Sequence, residues 1–154
     1  MPPKSSKNSN TEMAERLIDV LSDTYLLTIK THGYHWNVTG PQFHSLHLLF
    51  EEQYNELFRA ADELAERIRA LDVPAPMSSE SFRDNAGFKE ATGSVPSASA
   101  MLKDLIKSHE STRARIEDAR AFAEEIGDRA TEDMLIARLE VHDKDIWMLR
   151  SQAA

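Results

Sequence analysis

Apolar side chains recur along this chain at the 3.6-residue period of a helix, and nowhere with the alternation of a strand. Leu17, Ile18, Leu21, Tyr25, Ile29 and His32 mark a first helix running to about Trp36 or Val38. Ser9 followed by Glu12 resembles a capping box that opens it. The Val38-Thr39-Gly40-Pro41 turn stops it. Leu46, Phe50, Leu57, Ala61, Leu64 and Ile68 mark a second helix over about residues 43–71. Residues 72–96 are broken by Pro74, Pro76, Gly87, Gly93 and Pro96, with a short helix expected over 79–85. Leu102, Leu105, Ile106, His109, Ile116 and Ala123 mark a third long helix over about 97–126, with Gly127 at its C-terminal end. Asp128 can cap a fourth, with Leu135, Leu139, Ile146 and Leu149 on its apolar face and an end near Arg150.

The expectation is an all-α protein: a ferritin-like four-helix bundle with short first and last turns and a long connection carrying a short extra helix. A connection of that length can travel the length of the bundle and leave the second and third long helices parallel. The domain reading is a flexible polar tail over 1–10 and one bundle domain over 11–154.

Composition narrows the function. The formal net charge is -8, and the chain has no cysteine. Thiol nucleophiles, disulfide frameworks and iron–sulfur clusters are excluded, and an acidic compact chain is a poor non-specific binder of nucleic acid. No apolar run approaches the roughly 18–20 residues of a membrane span, and the N-terminus lacks the apolar stretch of a signal peptide. The expected location is cytoplasmic, or nucleoid-associated.

The second helix carries two stripes. On a wheel of 100° per residue the apolar positions centre near about 30°, whereas His47, Glu51, Asp62 and Glu66 fall between about 100° and 200°. Each of the pairs His47/Glu51 and Asp62/Glu66 is one turn apart, so its two side chains face the same way. Imidazole with carboxylate suits a borderline-to-hard divalent metal. Glu51 and Asp62 are separated by about 16 Å of helix axis, so one ion cannot touch both pairs in one chain. An antiparallel copy of the same helix would bring the pairs together in two symmetric sites. Leu48 and Phe58 on the same stripe suit a buried interface there. The competing reading is an ordinary solvated helix face. His35, beside the turn, offers a second imidazole, while His32, His44, His109 and His142 read as surface or packing residues.

The run Lys30-Thr31-His32-Gly33-Tyr34-His35-Trp36-Asn37-Val38-Thr39-Gly40-Pro41-Gln42-Phe43, then Leu46-His47, and the later Asp62-Glu63-Leu64-Ala65-Glu66-Arg67, resemble the Dps family, the DNA-binding proteins from starved cells. Asp143-Lys144 with Ile146-Trp147 resembles that family's last helix. The resemblance implies a homo-oligomeric shell, a dodecamer, with ferroxidase centres at two-fold interfaces. His35, His47 and Glu51 would come from one subunit and Asp62 and Glu66 from its partner; many members have Asp where this chain has Glu51. It implies oxidation of Fe(II), preferably by hydrogen peroxide, and storage of ferric mineral inside, which protects DNA from oxidative damage. Iron is the metal implied. Trp36 matches a residue the family places near the iron, as an electron donor or as a packing aromatic. Asp128 and Asp133 resemble the lining of the family's three-fold pore, although Ala137 stands where a third acid is expected. DNA binding is expected to be weak or absent, since the tail offers only Lys4 and Lys7 and the C-terminal Ser151-Gln152-Ala153-Ala154 has no basic residue. The alternative function is a DNA-compacting nucleoid protein in which iron chemistry is secondary.

Overall fold

The computed structural model describes residues 6–154, with side chains from residue 9 onward. Five helices make up the described residues: α1 (Ser6–Asn37), α2 (Phe43–Ala70), α3 (Ser79–Asn85), α4 (Ala98–Ile126) and α5 (Arg129–Ala153). The helix ends follow from the local sequence. Gly40 takes φ +108°, a conformation that strains other residues, and its carbonyl accepts from the Phe43 amide at 3.0 Å to start α2. Ser78 caps α3 and Ser97 caps α4, each by accepting a backbone N–H with its hydroxyl. Gly127 closes α4 in the left-handed region. Paired bonds from Gly127 N–H to Glu124 O and from Asp128 N–H to Ala123 O complete the stop. Asp128 then caps α5.

Two expected boundaries move. The first helix opens at Ser6, so Ser9 lies inside α1 and not at its cap. No glycine or proline interrupts residues 6–12, and the Glu12–Arg16 pair one turn apart supports the continuation. Of the expected 1–10 tail, residues 1–5 lie outside the described residues and 6–10 are helical. The last helix runs on to Ala153, past Arg150.

Contacts between helices give their directions. Tyr34 and Lys30 meet Asp104, while Asp23 meets Arg115, so α1 and α4 run antiparallel. The short turn makes α1 and α2 antiparallel as well. The long connection therefore leaves α2 and α4 parallel, as expected from its length. Arg138 of α5 pairs with Glu56 of α2, and Arg67 of α2 with Asp128 at the start of α5, so this edge is antiparallel too.

The core divides into two apolar clusters. One gathers Met13, Leu17, Leu21, Leu64, Ile68, Ile116, Phe122 and Leu135. The other gathers Leu27, Leu46, Phe50, Leu57, Met101, Leu105 and Leu149. Among these stretches of the helices lie buried polar side chains: Asp23, Thr24, Thr28 and Thr31 from α1, Gln53 from α2, Ser108, His109 and Thr112 from α4, and His142 and Asp145 from α5. The threonines of α1 donate to carbonyls one turn back, which satisfies their hydroxyls within their own helix.

Candidate metal centre

The two stripes of α2 separate as their spacing predicts. Leu46, Phe50, Leu57, Leu64 and Ile68 are fully buried. On the other face His47 and Glu51 are half-buried, and Asp62 and Glu66 are exposed. Leu48 and Phe58 on that face are 43% and 62% exposed, much for apolar side chains.

The end of α1 brings His35 onto the start of this stripe. The His35 and His47 rings stack with centres 3.7 Å apart and planes 14° apart. Each Nδ1 lies against the other residue's backbone carbonyl, His35 Nδ1 to His47 O at 2.7 Å and His47 Nδ1 to His35 O at 2.8 Å. A carbonyl only accepts, so each Nδ1 must carry the proton and donate it. Both Nε2 atoms are left with a free lone pair. A backbone carbonyl on the far nitrogen is the arrangement that fixes the tautomer and orientation of a metal-binding histidine.

Further rings extend this stack. His32 lies between Trp36 and Tyr54, with centres 3.9 Å and 4.1 Å away. Tyr54 meets His35 edge-on at 5.2 Å, and Phe43 lies 5.2 Å from His47. Burial and the neighbouring His35 hold the His32 imidazole below its ordinary pKa. Asp62 and Glu66 stand several turns further along α2. Among the described residues of a single chain, no three His, Asp or Glu side chains converge closely enough to hold a metal. One chain thus carries two imidazoles and Glu51 at one end of this stripe, and Asp62 and Glu66 at the other.

Comparison with known proteins bears on the family and the fold. The ferritin-like domain family matches residues 14–154. A low temperature-induced protein of Nostoc sp. (strain PCC 7120) is 43% identical over 132 residues, covering 85% of this chain and 74% of that protein. A DNA protection during starvation protein of Brevibacillus brevis is 36% identical over 126 residues, covering 82% of this chain and 84% of that one. Among solved structures, the DPS protein of Vibrio cholerae O1 superposes with a TM-score of 0.91 at 29% identity, covering 96% of this chain and 92% of its own. That protein is described as a member of a broad superfamily of ferritin-like diiron-carboxylate proteins. The chain belongs to the Dps family.

Other expected residues of this Dps chain fall into different surroundings. Trp36 is 66% exposed beside the stack. Asp133 is exposed on α5. Asp128 is occupied: it caps α5 through Thr131 N–H, takes the Thr131 hydroxyl, and pairs with Arg67 at 2.9 Å. These partners hold its carboxyl below the ordinary range even though burial pushes it up.

Two features escaped the sequence reading. Tyr54 falls at about 80° on the α2 wheel, between core and ligand stripes, and was assigned to neither. His109 and His142 are fully buried and joined Nδ1 to Nδ1 at 2.9 Å. Arg138 can only donate, and its Nη2 lies 3.4 Å from His142 Nε2. That leaves the His142 proton on Nδ1, donated to His109 Nδ1, and the His109 proton on Nε2, where no side chain or backbone group among the described residues receives it. Burial holds both rings neutral, with His109 driven down to about 3. The spacing of Arg138, His142 and Asp145 on one face of α5 was the available signal.

Proposed function

We propose that the chain is the subunit of an iron-storing shell, a dodecamer, that oxidises Fe(II) at centres shared between two subunits. His35, His47 and Glu51 serve one end of each centre, and the partner subunit's Asp62 and Glu66 serve the other. The observation that carries this reading is the reciprocal anchoring of His35 and His47. It frees both Nε2 lone pairs at the edge of a stripe whose far carboxylates, Asp62 and Glu66, their own chain cannot bring to them. Leu48 and Phe58, exposed on the same face, are the apolar surface a two-fold contact would cover.

Fe(II) is the substrate. Two rings stacked face to face cannot aim in-plane lone pairs at one ion, so the stack favours two ions side by side, one per histidine. Two irons lose one electron each, hydrogen peroxide takes both with two protons, and two waters leave without a hydroxyl radical. Mixed imidazole and carboxylate ligation leaves open positions for the oxidant. Glu51, one methylene longer than Asp, reaches further from its helix at this site. Asp133, exposed and unburdened by a cap, is the better of the two proposed pore acids for drawing in cations. The protein acts in the cytoplasm; among the described residues no helix is long and apolar enough to cross a membrane.

The test is anaerobic Fe(II) titration followed by peroxide addition, with anomalous scattering from metal-soaked crystals. The expected result is metal between subunits, touching His35 and His47 of one and Asp62 and Glu66 of the other. Metal held by these side chains inside one bundle, or Asp62→Asn oxidising iron at the wild-type rate in an intact shell, overturns the assignment.

A further inference from the structure

The proposed ferroxidase ligands leave one imidazole at this site without a task. His32 stands one turn before His35 on α1, half-buried. Both faces of its ring are covered, by Trp36 and by Tyr54. Stacking alone positions it, because neither ring nitrogen has a hydrogen-bond partner among the described residues. An imidazole whose orientation is fixed and whose nitrogens are uncommitted is a donor looking for an acceptor.

Ring geometry says which neighbour it can share one with. A zinc- or cobalt-like ion sits about 2.1 Å from a ligating nitrogen, hence roughly 3.2 Å from the ring centre. Two rings meeting on one ion at angles between about 110° and 180° therefore have centres roughly 5.2–6.4 Å apart, with planes free to tilt. His35 and His47 fail this test at 3.7 Å and 14°. His32 and His35 meet it at 6.1 Å and 48°. We propose that His32 and His35 together bind one divalent metal ion, so that His32 is a metal ligand alongside those named above. This rests on the intersubunit reading only for the carboxylates that complete the ion's shell.

The chemistry of the pair points to a particular class of ion. Two imidazoles on one ion shift that position toward borderline metals such as zinc and cobalt, whereas the position served by His47 and Glu51 keeps a harder, oxygen-richer set. The centre is then asymmetric, with a nitrogen-rich position that zinc contests against Fe(II). The sandwich contributes by holding the His32 ring in place before the metal arrives, which limits the ordering entropy lost on binding.

His32→Phe tests this directly, since phenylalanine keeps the aromatic sandwich and removes only the nitrogens. Co(II) binding to the assembled wild-type, His32→Phe and Asp62→Asn proteins is followed by calorimetry and by the visible absorption of the bound ion. Loss of a direct ligand is expected to weaken one class of Co(II) sites by roughly tenfold or more and to change its absorption band. Zn(II) should likewise inhibit Fe(II) oxidation less well in His32→Phe. If His32→Phe binds Co(II) as wild type does while Asp62→Asn is weakened, His32 is a packing residue and the proposal falls, with the shared centre intact. If neither variant differs from wild type, both the proposal and the shared centre fall.

Discussion

The chain holds two pairs of touching histidines, and they are built for opposite ends. His35 and His47 each give the Nδ1 proton to a backbone carbonyl, and both Nε2 atoms stay uncommitted at the edge of an exposed stripe. His109 and His142 bond to each other, and His142 accepts from Arg138, in full burial between α4 and α5. The lesson is that proximity of imidazoles says little about metal binding. What matters is where the second nitrogen of each ring is spent, and whether a cation already stands nearby. Arg138 occupies with its own charge the place a metal would need, and Glu56 balances it with a contact at 3.2 Å and a second, closer one.

The sharpest way to break this contrast is to remove one ring from each pair. His47→Ala should slow peroxide-driven Fe(II) oxidation by roughly tenfold or more in stopped-flow measurements, with little change in unfolding midpoint, because it leaves the core stripe untouched. His142→Ala should do the reverse. It empties a fully buried site and strands Arg138 and His109, so about 3 kcal/mol of stability should be lost in denaturant titrations, with iron oxidation preserved in whatever protein remains assembled.

A pH series sharpens the comparison next. His109 has a folded pKa of about 3, below its ordinary 6.5, and His142 is also depressed. The neutral pair therefore contributes stability that is fully present above about pH 6.5 and is lost progressively as pH falls toward 3. Asp145 works in the other direction, since burial, followed by Glu56, raises it to about 7. Its contribution is present below the unfolded value of 3.8 and fades as pH rises through 7. Asp23 is raised by burial too, but the two imidazoles stand far below their ordinary value, so the unfolding midpoint should drop on acidification. Replacing both His109 and His142 with leucine should flatten that acid limb; an unchanged limb would show that other groups set it.

The smallest expected effect concerns DNA. With an acidic body and only Lys4 and Lys7 in the first ten residues, gel shifts should be weak or absent at neutral pH and physiological salt. Any shift at low salt should vanish on deleting residues 1–10 without altering iron oxidation. Tight, salt-resistant shifting would favour the DNA-compacting reading.

The helices, their directions and the separation of a polar from an apolar stripe on α2 were legible from spacing and connection length. Gly127 and Asp128 announced the end of α4 and the start of α5 through local backbone chemistry. Ser9 misled because a capping residue is also tolerated inside a helix when nothing downstream breaks it. The histidine at position 109 was read as packing or surface, and only tertiary structure reveals its fixed tautomer and its unpaired Nε2. The reciprocal carbonyl bonds of His35 and His47 were likewise beyond reach, since they join the end of one helix to the start of the next.

The long connection shows one more consequence of buried polar chemistry. Gly87 donates its amide to Asp23 at 2.7 Å, Arg115 reaches from α4 to Asp23 and to the Asn85 carbonyl, and a Cβ on Gly87 would stand 2.9 Å from the Arg115 side chain. Phe82 of α3 stacks on Tyr25 of α1 at 4.5 Å. The segment from α3 to Gly87 is thus riveted to the bundle at these points, whereas residues 91–95 are exposed and Gly93 turns there at φ +87°. Added sequence should follow the same division. A tag or reporter loop inserted between 91 and 95 should leave the subunit folded, whereas a single extra residue between 82 and 87 would pull the rivets out of register.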